Sequence, residues 1–179
     1  MTRSLLALCF MLVGASALGC GHHTVSAPKS PTGSPIAIMV HTDERITPDM
    51  APDRVAQINQ ISEWMENDLI SILHGAGYAA TRVEDPNTAT GPGRLLLRVA
   101  ITDYNAGSKA ARMLVGFGAG AAVLKTHFEL FGDASPAPLI GGDPDVGSGR
   151  DWRNSARKVN LQTADAVSTR LAQLYTTAQ

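Results

Sequence analysis

The chain has 179 residues, 44% of them hydrophobic, which is enough for one packed domain. Its formal net charge of -1 and its 5% aromatic content provide neither the basic surface nor the stacking platform that nucleic-acid binding uses. Composition therefore argues against a nucleic-acid partner.

The first twenty residues have the pattern of an export signal that ends at a lipid-attachment site. Arg3 precedes an apolar run of fourteen residues, SLLALCFMLVGASA, which is too short for a comfortable membrane span. The sequence SALGCG then resembles the lipobox of bacterial lipoproteins, with Ala17 in place of the usual leucine. The resemblance implies cleavage between Gly19 and Cys20, a diacylglycerol thioether on the Cys20 sulfur and acylation of the new amino terminus. The alternative is an ordinary secretory signal with Cys20 at this place by chance.

Cysteine usage favours the lipoprotein interpretation. The chain has two cysteines, and Cys9 lies inside the predicted signal peptide 1–19, so the mature chain has no intramolecular disulfide. A thioether would occupy the remaining thiol, and two or three acyl chains make a stable anchor. Gly21 stands where enteric lipoproteins with an inner-membrane retention signal have aspartate. The resemblance thus implies the periplasmic face of the outer membrane.

Residues 20–35 are predicted to form a lipidated flexible tether. The sequence GHHTVSAPKSPTGSP (21–35) is rich in Pro, Ser, Thr and Gly and has few apolar side chains to bury. We interpret His22 and His23 as a solvated pair rather than a metal site. A single domain then covers residues 36–179.

The domain is predicted to begin with a strand over 36–42, a long helix and a short strand over 78–85. Pro52 suits the first helical turn, and Gly75 and Gly77 suit its end. Apolar residues recur at spacings of three and four between them. They are Val55, Ile58, Ile61, Met65, Leu69 and Ile72. A strand, a helix and a second strand indicate a right-handed βαβ crossover.

Three further strands, over 94–105, 122–133 and 138–142, and a helix over 155–178 complete the prediction. In the strand over 122–133, the apolar residues Leu124, Phe128 and Leu130 alternate with the polar residues Lys125, His127 and Glu129. This alternation is typical of an antiparallel strand with one solvated face. We predict an α+β two-layer sandwich, β-α-β-β-β-α, with a mixed sheet of four to five strands and two helices on one face.

The stretch GSKAARMLVGFGAGAAVLK (107–125) has three interpretations. Gly116, Gly118 and Ala121 match a dinucleotide-binding pattern, but no helix pattern opens on them. Twelve uncharged residues, 113–124, are too few to span a membrane. A hairpin connection fits the amphipathic strands on both sides. Its tip is either a buried bulge or an exposed apolar surface for a partner. The candidate interaction residues are Arg112, Leu114, Gly116, Phe117, Gly118 and Gly120.

The segment ITDYNAGSKAARMLVGFGAGAAVLKTHFELFGD (101–133), behind a lipobox, resembles a family of bacterial lipoproteins known as domain of unknown function 4410. Members have a strand, a Gly-Ser pair, an arginine, a Gly-Phe-Gly-Ala-Gly core and a strand that ends near an aspartate. The matching positions are Gly107, Ser108, Arg112, Gly116, Phe117, Gly118, Ala119, Gly120 and Asp133. The resemblance implies an envelope lipoprotein with a small αβ domain. It supplies no activity and no catalytic residues.

The sequence contains no motif that indicates catalysis. H-E-x-x-H, G-x-S-x-G and C-x-x-C are all absent. The histidines of the predicted domain are scattered over different elements: His41, His74 and His127. Three aspartates, Asp143, Asp145 and Asp151, suggest a calcium loop, but its glycine is out of register. We therefore expect no catalytic residue, no metal and no cofactor.

These expectations combine into a membrane-anchored, non-enzymatic lipoprotein of the cell envelope. It would bind another envelope component through the Gly-rich hairpin or the open face of the sheet. One alternative is an oligomeric ring that inserts the hairpin into the outer membrane, with Lys125, His127 and Glu129 lining a lumen. A second alternative is a periplasmic enzyme of unknown substrate that uses His127 or Asp103.

Overall fold

Five strands form one mixed sheet in the order β2-β1-β3-β4-β5, and two long helices complete the domain. The strands are β1 Ala37–Asp43, β2 Ala79–Arg82, β3 Arg94–Asn105, β4 Val123–Phe131 and β5 Ile140–Gly142; the helices are α1 Pro52–Ala76 and α2 Trp152–Thr177. The computed structural model describes residues 26–28, 30, 33–89, 93–105, 122–132, 136–144 and 151–177. The predicted α+β class, the order of elements and the five-stranded mixed sheet are confirmed.

β1 is the centre of the parallel part of the sheet. Ala37 lies opposite Ala79 of β2 on one side and Arg94 of β3 on the other, so these three strands start at one level. β3, β4 and β5 then pair antiparallel. The sheet therefore has one pole where β1, β2 and β3 begin and an opposite pole where β1 and β3 end.

Local sequence signals set the ends of α1. Pro52 occupies the first turn with Asp53 beside it, where a fixed φ and a negative charge suit the positive end of the helix dipole. Gly77 ends the helix in the left-handed region with φ 101°, and its N–H donates to the His74 carbonyl. The N–H of Tyr78 donates to the Leu73 carbonyl at 3.0 Å. Together these bonds satisfy carbonyls that the helix end would leave free.

The core lies between the two helices and one face of the sheet. Ile38, Leu97 and Leu130 point from three strands into it and are fully buried. The helices contribute further buried side chains, which are Ile58, Ile61, Met65, Leu69, Leu73, Val159, Val167 and Leu171. Asn160 of α2 donates to the Met65 carbonyl at 2.9 Å and joins the two helices. Burial of apolar surface on this one face is the main stabilising contribution.

Beyond β1 and β5, β3 and β4 continue alone as a two-stranded ribbon, Ile101–Asn105 with Val123–Thr126. The register shifts by one residue between Ile101 and Asp103. Because of this bulge, Ile101 and Tyr104 both face the helices, although a regular strand would turn them to opposite faces. Asp103 is thereby exposed on the other face.

Some boundaries differ from the sequence-based prediction. β2 covers four of the eight predicted residues, because its pairing with β1 runs only from Ala79 to Arg82, and Tyr78 is buried in the turn after α1. α2 begins three residues earlier than predicted, because the Asp151 carboxylate accepts the N–H of Arg153 at 3.0 Å and supports the first turn.

Part of the segment predicted as tether contacts the domain. The N–H of Ala27 donates to the Ala76 carbonyl at 2.8 Å, and Ala27 packs against the core. A Cβ built on Gly77 would lie 3.6 Å from the Ala27 Cβ. The chain before β1 therefore lies against the C-terminal end of α1.

Candidate interaction surface

The predicted lipidation and interaction residues lie outside the residues that the structure describes. This holds for Gly19 and Cys20 and for the Gly-rich positions, which are Arg112, Leu114, Gly116, Phe117, Gly118 and Gly120. What the structure describes is the ribbon from which segment 106–121 leaves the sheet. Tyr104 and Leu124 fix this ribbon to the helices, since both are buried beneath the N-terminal halves of α1 and α2.

Burial of Tyr104 also affects its chemistry. Desolvation raises the pKa of the Tyr104 phenol above its ordinary value of 10.0, so the ring stays neutral. The guanidinium of Arg54 donates to the Tyr104 carbonyl at 3.2 Å and links α1 to the ribbon. The ribbon is thus held by apolar packing and a charge-assisted hydrogen bond.

Both tryptophans of the chain lie beside this ribbon. Trp64 of α1 and Trp152 of α2 meet edge to face, with ring centroids 5.6 Å apart. The Arg153 guanidinium lies 4.8 Å from the centroid of the Trp152 ring. The pair closes the core between the middle of α1 and the first turn of α2, and such aromatic contacts contribute about 0.5–1.5 kcal/mol beyond their buried area.

The face of β3 and β4 that points away from the helices is polar and partly exposed. Lys125, His127 and Glu129 lie along β4 on this face, as the alternation predicts. The Lys125 ammonium lies 3.5 Å from the Asp103 carboxylate, and Arg98 lies directly opposite Glu129 across the strands. We call this set, with Asp143, the open-face charges.

His127 has a carboxylate on each side. Its Nδ1 lies 2.9 Å from Asp143 Oδ1, and its Nε2 lies 4.0 Å from Glu129 Oε1. Asp143 reaches His127 because β5 packs very closely on β4: a Cβ on Gly141 would lie 3.1 Å from the Phe128 carbonyl oxygen. The adjacent glycines Gly141 and Gly142 are the sequence signal for this approach, which the sequence analysis did not use.

The open-face charges offer donors and acceptors to a polar partner. Among the described residues, no group of three or more His, Cys, Asp or Glu side chains could hold a metal ion. Asp143 contacts His127 and Asp151 supports the start of α2, while Asp145 lies outside the described residues. Of the three aspartates that suggested a calcium loop, Asp143 and Asp151 therefore make separate contacts with different elements.

His41 and His74 have structural roles. The His74 ring donates from Nε2 to the Ala80 carbonyl at 2.7 Å, and the His41 ring donates from Nδ1 to the Val83 carbonyl at 3.2 Å. Both bonds tie β2 and the residue after it to neighbouring elements. These two histidines are not close to His127, which lies on β4.

A second group of charges surrounds the end of β2 on the helix side. The Glu66 side chain is 4% exposed and pairs with Arg82 at 3.0 Å. Burial raises the pKa of the Glu66 carboxyl above 4.5, and the Arg82 and His41 charges oppose this shift. Ser62 donates to Glu44 at 2.6 Å nearby. The sequence does not indicate that Glu66 is buried. A charged residue next to the apolar stripe of a helix is expected to face water, and Glu66 directly follows the buried Met65.

Neither of the two described helices combines the length and apolar character that crossing a bilayer requires. The sides of α1 and α2 away from the sheet carry charged residues such as Asp53, Glu63 and Lys158. These helices therefore cover the sheet and expose polar sides to water.

Several solved structures are distantly similar to the chain. A Xanthomonas campestris protein of family DUF330 is 11% identical with a TM-score of 0.48, and the match covers 85% of this chain and 96% of that one. The PelC dodecamer from Paraburkholderia phytofirmans is 18% identical with a TM-score of 0.43, covering 82% and 93%. A neuraminyllactose-binding hemagglutinin homolog from Helicobacter pylori is 12% identical with a TM-score of 0.45, covering 87% and 95%. Likeness at this level does not extend to function.

No curated protein matches the chain. A family model does: the one for the domain of unknown function DUF4410 matches residues 30–168. This range includes all five strands, α1, most of α2 and the Gly-rich segment on which the resemblance rests. The chain therefore belongs to the DUF4410 family.

Proposed function

We propose that this chain is a non-enzymatic lipoprotein, anchored through Cys20 to the periplasmic face of the outer membrane, that binds another envelope component. The binding surface is the Gly-rich segment 106–121 together with the open-face charges beside it. The observation that carries the proposal is the β3–β4 ribbon, which extends past both neighbouring strands and leads into segment 106–121. A ribbon held firmly at its base and free of sheet neighbours is a suitable support for a recognition loop.

The open-face charges favour a protein partner over lipid. Lys125 and Asp103 are paired and about half exposed, and His127 lies between two carboxylates. Moving such pairs into hydrocarbon costs several kcal/mol per ion, whereas a wet protein interface retains them at its polar rim. A protein partner can therefore contact this surface without removing these charge pairs fully from water.

The lipid anchor is tested by replacing its attachment atom. We expect Cys20→Ser to carry no diacylglycerol and to keep segment 1–19 attached, because a serine oxygen does not replace the thiolate in the lipid-transfer reaction. The measurement is phase partition together with mass spectrometry of the mature amino terminus. The sequence offers Cys9→Ser as a control, since Cys9 lies in the removed segment. A wild-type protein with an unmodified Cys20 thiol would contradict the anchor.

The binding surface is tested by Phe117→Asp, which places a charge in the apolar part of the Gly-rich segment. We expect loss of the proteins that crosslink to wild type in membranes, because a buried carboxylate without a partner is strongly unfavourable. Ile46→Asp is the matched control, since Ile46 is a large apolar residue that is 42% exposed outside this segment. Recovery of the same proteins by wild type and Phe117→Asp would remove the segment from the binding surface.

The ring alternative demands a rearrangement of the domain. The apolar faces of β3 and β4 are covered by the helices, with Leu97, Leu124 and Leu130 fully buried. Insertion of these strands into a membrane would require the helices to leave them. Sizing in detergent separates the two functions, since a monomer excludes the ring.

A further inference from the structure

We infer that the contact of Ala27 with the end of α1 determines how the domain faces its membrane. The pole where β1, β2 and β3 begin is the membrane-facing surface, and the pole of the β3–β4 ribbon points away toward the partner. This inference rests on the proposed function, because it takes Cys20 as the point of attachment.

The first step is the contact itself. The N–H of Ala27 donates to Ala76 at 2.8 Å, one of the carbonyls that the end of α1 leaves without a helical partner. A Cβ at Gly77 would lie 3.6 Å from the Ala27 Cβ, which is van der Waals contact, so Ala27 lies directly against this turn. Ala27 packs on the same core cluster as Leu73, Ala76 and Tyr78. A backbone bond and apolar contact together hold this part of the chain.

The second step is length. Ala27 is seven Cα–Cα steps from Cys20, which span at most about 25 Å when fully extended. Without the contact, the free chain would run to Ile36 and reach about 55 Å. The contact thus removes more than half of the reach of the tether.

The third step is direction. Ala27 lies against Ala76, just before Ala79, which is level with Ala37 and Arg94 at the start of three strands. β3 then runs for twelve residues to Asn105, about 36 Å at roughly 3.3 Å per residue. The Asn105 end of the ribbon is therefore farther from this pole than the shortened tether extends. An upright domain presents the ribbon to the periplasm and not to the lipid that anchors it.

The test measures energy transfer from one labelled cysteine to acceptor lipids, in vesicles carrying the lipidated protein. Ala79→Cys and Ile46→Cys place the label at exposed positions near opposite poles, about 20 Å apart along β1. We expect stronger transfer from position 79, by about twofold. Adding Ala27→Pro, which removes the donor N–H, should abolish this difference. Ser26→Pro is the matched control and should preserve it.

Equal transfer from the two positions, or a difference that survives Ala27→Pro, would overturn the inference. Vesicle flotation and amide exchange separate its failure from that of the proposed function. A chain that does not float overturns the anchor and the orientation with it. A chain that floats but exchanges the Ala27 amide as fast as that of Ser26 overturns the contact alone.

Discussion

Glu66 shows how a single residue couples this fold to pH. Its carboxyl is buried between α1 and β2, and burial raises its pKa above 4.5 despite the Arg82 charge 3.0 Å away. A raised pKa means that the folded chain holds this proton more tightly than the unfolded chain does. The contribution of Glu66 to stability is therefore full below pH 4.5 and is lost as pH rises through its folded pKa.

This linkage gives a prediction for Glu66→Gln, which mimics the protonated carboxyl at every pH. We expect the free energy of unfolding of the variant, relative to wild type, to increase as pH rises from 4.5, because only wild type must ionise a buried group. Urea unfolding at a series of pH values measures the difference. Glu63→Gln, an exposed position on the same helix, is the control for removing one carboxylate from α1. A difference for Glu66→Gln that decreases with pH would contradict the assignment.

At the scale of elements, β5 depends on two glycines. This three-residue edge strand packs so closely on β4 that a Cβ at Gly141 would lie 3.1 Å from the Phe128 carbonyl, and one at Gly142 would lie 3.3 Å from the Phe128 ring. The same close approach brings Asp143 to His127. The position of β5 at the sheet edge and the contact of Asp143 with His127 therefore both depend on the close approach of Gly141 to the Phe128 carbonyl.

Two Gly→Ala substitutions should change stability in opposite directions. Gly141→Ala should lower the free energy of unfolding by about 1–3 kcal/mol, because the new methyl group pushes against backbone. Gly75→Ala should raise it by about 0.5 kcal/mol, because this glycine is helical and a Cβ there meets nothing within 4 Å. Denaturant unfolding measures both. Equal effects of the two substitutions would mean that β5 does not pack as described.

The sequence predicts elements well where pattern and end signals agree. Pro52, Gly77 and an apolar stripe between them predict α1 within two residues of its observed ends. The prediction is less accurate where a long-range contact decides. β2 ends at Arg82 where its pairing with β1 ends, and the bulge at Thr102 depends on the pairing of β3 with β4. Neither contact leaves a periodic signal in the sequence.

At the scale of the whole molecule, the described core clusters connect the two helices to the sheet, and the Gly-rich segment begins and ends at the β3–β4 ribbon. Asn105 pairs with Val123, so the two ends of this segment are already adjacent. Under the proposed function, the domain is the support and the segment is the part that recognises.

Replacement of residues 106–121 by Gly-Asn-Gly tests this division. We expect the same helix and strand content and a free energy of unfolding within about 2 kcal/mol of wild type, which is the scale of the loop-closure entropy involved. Circular dichroism and denaturant unfolding provide the measurements, and crosslinking to membrane partners should be lost. Loss of cooperative unfolding would show that the segment belongs to the core.

The sequence predicts which residues of β4 are solvated but not which residue of another strand contacts them. Alternation along β4 predicts that Lys125, His127 and Glu129 share a solvated face, and the structure confirms this arrangement. The carboxylate of Asp143 comes from another strand, and its approach depends on the packing of β5. Periodicity reports the face on which a residue lies, but it does not report which residue from a distant segment will meet it.

The extra residue Thr102 in β3 has a consequence for how related chains can vary. Deleting Thr102 would remove the bulge and leave Ile101, Asp103 and Tyr104 in regular alternation, with Asp103 still exposed and Tyr104 still buried. Deleting a further residue between Asp103 and Asn105 would instead shift the alternation of the strand end by one position. The base of the hairpin can therefore shorten by the bulge residue without exchanging the faces of Asp103 and Tyr104.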